Sequence, residues 1–93
     1  MAEHSLKTWP EPFAAVLAGE KTHEVRVNDR GYAVGDVLEL REWRFIGDRE
    51  WSEGAGGHYT GRSVRVVVTH MTRGGSFGLP EDLCVMSIRK EQP

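Results

Sequence analysis

Apolar and polar positions alternate in short runs along the chain, with one early exception. His4 to Thr8 predicts a short strand with Leu6 facing the core. Trp9-Pro10-Glu11-Pro12 interrupts it, and Pro12 suits the first turn of a helix, where a missing N–H leaves no bond unmade. Phe13, Val16 and Leu17 then fall at i, i+3 and i+4, one apolar face of a short helix, and Gly19 is placed to end it. From Thr22 the period becomes two. Val25 and Val27 take one face; Thr22, Glu24, Arg26 and Asn28 take the other. Asp29-Arg30-Gly31 and Val34-Gly35-Asp36 read as turns before a strand from Val37 to Trp43, with Leu38 and Leu40 opposite Glu39 and Arg41. Phe45 to Gly61 is polar and glycine-rich around Gly54-Ala55-Gly56-Gly57, which predicts a long mobile loop over about 45–60. Val64 to Thr72 is a β-branched run suited to a buried central strand. After a loop over Arg73 to Gly78, Leu83 to Arg89 forms the last strand. One early helix followed by four or more strands predicts an α+β, mainly β fold: a small, partly closed β-barrel.

Ninety-three residues suit one small domain, taken as residues 1–93, and the eleven glycines exceed the average share of roughly 7%, in keeping with tight turns between short strands. Twelve Lys and Arg against fourteen Asp and Glu exclude a strongly basic module that holds nucleic acid by bulk charge alone. Charge is uneven, however: residues 1–35 carry net −1, residues 36–60 net −3 and residues 61–93 net +2. Cys84 stands alone, so neither an intramolecular disulfide nor a multi-cysteine metal site is expected. Nothing near the start reads as a signal peptide, and the longest apolar run there, Phe13 to Ala18, is far short of a membrane span. A soluble, cytoplasmic protein without membrane association is the expectation.

Candidate chemistry concentrates in Gly19-Glu20-Lys21-Thr22-His23-Glu24-Val25-Arg26, which links the helix to the first long strand. Glu24 and Arg26 are two apart and leave the same face, and the flexible stem of Lys21 reaches towards that face. A guanidinium clamps phosphate or carboxylate in a bidentate way. A partly buried lysine beside other cations can serve as base or nucleophile, and a carboxylate accepts from a nucleobase amino group or orients a water. The same spacing also describes a solvated strand face whose ion pairs contribute little.

Gly19-x-Lys21-x-x-Glu24-x-Arg26 resembles the GxKxxExR motif of the ASCH domain family, which has a PUA-like fold. His4-x-Leu6-Lys7, Phe13, Asp29-Arg30-x-Tyr32-x-Val34-Gly35-Asp36, Tyr59-Thr60-Gly61-Arg62 and Val85-Met86-Ser87-Ile88 extend the likeness, in the expected order, to a compact bacterial and phage branch of that family. The resemblance implies a PUA-like barrel with a cleft beside the helix, floored by Lys21, Glu24 and Arg26, that takes RNA or a nucleotide. Some small ASCH proteins instead hydrolyse the acetyl group of N-acetylated cytidine with a Lys, a Thr and a separate Glu. Lys21 matches that Lys, but Glu24 stands where the Thr would be, so Glu24 itself is the general-base candidate in that reading. Other ASCH domains are reported as nucleases, a third reading.

The resemblance also puts the first strand near the cleft, which makes His4 and Lys7 candidate phosphate contacts. Neither they nor His23, His58 and His70 show metal-ligand spacing, and no metal or cofactor is expected. Trp9, Tyr32, Trp43, Trp51 and Tyr59 are candidate stacking groups; Trp9 after the first strand and Tyr59 at the end of the loop are the best placed for a rim, with packing as the alternative. Arg62, Arg65 and Arg73 are candidates for a basic edge, or a solvated face. Ser76 and Ser87 have no triad context. The expected partner is RNA or a nucleoside or nucleotide, bound by a monomer or weak dimer; the competing expectation is a nucleoside amidohydrolase.

Overall fold

The computed structural model describes residues 1–45 and 56–91. Five strands and one helix run in the order β1 (Glu3–Thr8), α1 (Pro10–Leu17), β2 (His23–Val27), β3 (Val37–Phe45), β4 (Gly57–Arg73) and β5 (Leu83–Lys90). The strands make one sheet in the order β1-β3-β4-β5-β2, parallel between β1 and β3 and antiparallel elsewhere. The sheet curls into a half-barrel, as the mainly β reading of the chain requires.

The curl originates in β4. This 17-residue strand lies at the centre of the sheet and breaks register with both neighbours. Against β3, Glu42 alone faces Thr60, Gly61 and Arg62, and Gly61 takes the extra length at φ +93°. Against β5 the shift falls between Val68 and His70. Bulges of this kind bend a strand and strengthen its twist. Both sheet edges are thereby brought together, and β1 and β2 meet without a strand ladder. Two arginines of the β2 region span the gap instead: Arg26 donates to the Lys7 carbonyl at 3.2 Å and Arg30 to the Ser5 carbonyl at 3.0 Å.

Inside the curl, Leu6, Leu38, Leu40, Val66, Val68, Cys84, Met86 and Ile88 form one buried cluster, into which α1 inserts Val16. Pro10 opens α1 at its first position, with Trp9 extended before it. The helix ends in a Schellman turn: Gly19 N–H donates to the Val16 carbonyl at 3.0 Å, and Glu20 N–H to the Ala15 carbonyl at 2.9 Å. Gly19 sits at φ +81°, which a Cβ would strain, so the first residue of the GxKxxExR stretch is a helix stop.

Two sequence expectations need correction, and the division of β2 into two faces acquires a direction. Leu17 is exposed, because it is the final residue of an eight-residue helix and only Phe13 and Val16 turn inward. The stretch expected as a loop over about 45–60 is strand at both ends, since Phe45 belongs to β3 and Gly57 to Tyr59 pair with β3 as the start of β4; its middle, with Trp51, lies outside the described residues. Val25 and Val27 lie on the outer face of β2, each 49% exposed, while Glu24 points inward. The strand is inverted relative to a simple apolar-in pattern because its charged face borders the cleft described next.

Candidate functional site

A cleft of about 310 Å³ opens between the start of α1, the end of β1 and β2, and Lys7, Thr8, Trp9, Lys21, Glu24 and Arg26 line it. The turn after α1 delivers Lys21 beside β2. The period of two then puts Glu24 and Arg26 on the same side. Glu24, only 3% exposed, is the centre of the arrangement. Its Oε1 accepts from Lys21 Nζ at 2.8 Å and its Oε2 from Arg26 Nε at 3.0 Å. Lys21 also donates to the His23 carbonyl at 2.6 Å. Arg26 donates onward to the Lys7 carbonyl and, over a long 3.5 Å, to the Thr8 hydroxyl.

A buried carboxylate is tolerable only when paired and hydrogen-bonded, and here both oxygens are. The solvated-face reading of this stretch does not hold for Glu24. With both oxygens facing cations, Glu24 fixes the directions of Lys21 and Arg26. Among the described residues, Arg26 Nη1 donates to no protein acceptor, so one edge of the guanidinium remains for a ligand. Three cations against one carboxylate make the lining basic in a chain of net charge −2.

Trp9 is 51% exposed at the rim and packs edge-on against Phe45, 5.4 Å between ring centroids. Phe45 meets Trp43 in the same way at 4.7 Å, and Lys7 Nζ stands 4.4 Å from the Trp43 ring centroid. Aromatic packing and a cation–π contact therefore restrain the Trp9 and Lys7 side of the cleft.

Not every residue singled out in the sequence joins this group. His4 faces the opposite end of β1, where its Nε2 meets Asp36 Oδ2 at 2.9 Å and its ring packs edge-on against Tyr32. Asp36 also accepts from the backbone N–H groups of Ala2 and Ala33. Burial works to raise the Asp36 carboxyl, but these hydrogen bonds outweigh it and hold the group below its ordinary value. Tyr59 pairs across the sheet with Trp43 and lies against the Arg41 guanidinium at 3.8 Å, outside the cleft lining. Nor do Arg62, Arg65 and Arg73 form one free basic edge: Arg65 is held by Glu3 and Glu91. Ser76 donates to the Arg73 carbonyl. Burial pushes the Cys84 thiol up, so it behaves as a small hydrophobe. Among the described residues no group of three or more His, Cys, Asp or Glu is arranged to hold a metal, and no helix is long and apolar enough to cross a membrane.

Sequence reasoning missed Thr8 and a further buried carboxylate, Glu42. The two are direct partners in the β1–β3 register. Glu42 accepts from Thr60 Oγ1 at 2.8 Å and lies 3.8 Å from Arg62, both supplied by the β4 bulge. The available signal was positional: Glu42 continues the inward series Leu38, Leu40, and Thr8 follows Leu6.

Fold and site together define a small half-barrel protein with a cation-lined cleft beside its helix. Residues 3–88 match the family described as a domain of unknown function, DUF3850, and the chain belongs to that family. It is also similar to the "Uncharacterized 12.9 kDa protein in GpA 3'region" of Escherichia phage P2, with 36% identity over 69 residues, 74% of this chain and 53% of the relative. The chain thus spans about half the length of the curated relative it matches.

Proposed function

We propose that the cleft binds a nucleotide or a nucleotide unit of RNA. The observation that carries this reading is the buried Glu24 holding Lys21 and Arg26 on one wall, with Lys7 and the half-exposed Trp9 on the other. A phosphate takes the free edge of Arg26 and the ammonium groups of Lys21 and Lys7. A base takes the exposed face of Trp9, where stacking is worth roughly 1–3 kcal/mol. The volume lies at the lower end of the roughly 300–1,000 Å³ usual for small-ligand pockets, which suits a single nucleotide unit. The resemblance of the ordered motifs to ASCH domains of PUA-like fold supports the same reading. Calorimetric titration with cytidine 5′-monophosphate tests it. Saturable binding by the native protein that Lys21→Ala weakens at least tenfold, with the circular dichroism spectrum retained, is the expected result. Equal binding by both proteins, or none by either, overturns it.

One observation favours a second reading, hydrolysis of the acetyl amide of N-acetylated cytidine: the 2.8 Å contact between Lys21 and Glu24 sets a proton donor beside a carboxylate acceptor, the pair of groups that general acid–base chemistry uses. Chromatography of N-acetylcytidine incubated with the protein decides it. Cytidine released by the native chain and not by Lys21→Ala supports hydrolysis, and no release removes this reading.

A further inference from the structure

We infer that the occupant of this site is a single-stranded polynucleotide that continues past the cleft on both sides, an inference that rests on the nucleotide reading above. Two further hollows adjoin the cleft and share its walls. Lys21 also lines a hollow of about 210 Å³ at the C-terminal end of α1, together with Val16, Val66, Ile88, Arg89 and Lys90. Arg26 also lines one of about 230 Å³ at the seam between the sheet edges, with Leu6, Val27, Asp29, Arg30 and Tyr32. The three hollows therefore follow β2, one at its start, one along it and one at its end. At about 3.3 Å per residue, the five residues of β2 alone run about 16 Å, longer than one nucleotide.

Charge follows the same path. Among the described residues, the three hollows are lined by six of the chain's twelve Lys and Arg but only two of its fourteen Asp and Glu, leaving six basic against twelve acidic residues elsewhere. An acidic protein that gathers half its cations around three adjoining hollows, from β1, β5 and the turns on either side of β2 as well as from β2, focuses a positive potential there and repels a polyanion elsewhere. The hollow beside α1 sets Lys21, Arg89 and Lys90 around a floor whose apolar residues, Val16, Val66 and Ile88, are themselves buried, so what it offers a strand is contact with backbone phosphate. Arg89 makes no side-chain hydrogen bond or ion pair with any described residue, so its guanidinium has no evident structural duty.

Fluorescence anisotropy with labelled oligouridylates of two, four and six nucleotides, beside calorimetry with uridine 5′-monophosphate, tests the inference. Affinity should rise at least tenfold from the monophosphate to the hexamer. Arg89→Ala should weaken hexamer binding several-fold and reduce the slope of log K against log salt by about 0.7, whereas Arg65→Ala, outside the groove, should change neither. A hexamer bound no more tightly than the monophosphate, or as tightly by Arg89→Ala as by the native chain, overturns the extended groove while leaving the nucleotide cleft standing. Binding of neither probe overturns both.

Discussion

Substituting Glu24→Gln keeps the side chain's shape and removes its charge, and the structure sets the size of the consequence. Two charge-assisted hydrogen bonds converge on this carboxylate, from Lys21 at 2.8 Å and Arg26 at 3.0 Å. Each such bond is worth about 1.5–3 kcal/mol. The glutamine carbonyl still accepts from one cation, but its amide NH₂ meets the donors of the other, so about one charged bond is lost outright. Solvent recovers part of this, because the Lys21 and Arg26 side chains are 24% and 26% exposed. The net loss should be about 2–3 kcal/mol, short of the 3–5 kcal/mol for breaking a fully buried pair. At about 4–8 °C per kcal/mol for a domain of this size, the melting temperature should fall by about 8–24 °C. Urea titration read by tryptophan fluorescence measures the loss, and Glu24→Gln combined with Lys21→Met measures the coupling, expected to exceed about 0.5 kcal/mol. A single variant within about 0.5 kcal/mol of the native chain, or a pair that adds independently, would refute the placement of Glu24 as the organiser of the two cations.

Two further perturbations probe the frame around the site. Because hydrogen bonds hold the Asp36 carboxyl below its ordinary value in the folded chain, the stability it contributes is complete above about pH 4 and is lost as pH falls through the native value. The urea midpoint should therefore fall on acidification below about pH 4, and Asp36→Asn should flatten that decline while lowering the midpoint at pH 7; an unchanged acid profile counts against the His4–Asp36 knot. A Cβ on Gly57 would overlap the Trp43 ring and crowd the Arg44 carbonyl. Gly57→Ala should therefore cost about 1–3 kcal/mol in chemical denaturation, and a neutral result would mean that Trp43 does not pack where described.

Much of this architecture was legible in residue pattern. The alternation through Leu38 and Leu40, the β-branched run around Val66 and Val68, and the short apolar face of Phe13 and Val16 are local signals, and each element stands where its pattern put it. Lys21, Glu24 and Arg26 were readable for the same reason, being a turn and a strand apart. What escaped depends on long-range pairing. Gly57 to Gly61 has the composition of a loop, yet it becomes strand because β3 offers a ladder and the bulge at Gly61 absorbs the mismatch. His4 is drawn from the cleft by Asp36, 32 residues away. Thr8 and Glu42 approach each other only through the parallel β1–β3 register. The inward turn of the charged face of β2 depends on the edge-to-edge meeting with β1, which no local period encodes.

The central claim is that the cleft between β1, α1 and β2 is where ligand binds. Amide chemical-shift mapping by NMR during titration with cytidine 5′-monophosphate tests it most directly. The account predicts saturable shifts concentrated in residues 7–9 and 21–26, with His4 and Tyr59 little affected. Absence of shifts at millimolar nucleotide, or shifts centred on the β4–β5 loop over residues 74–82, would contradict it.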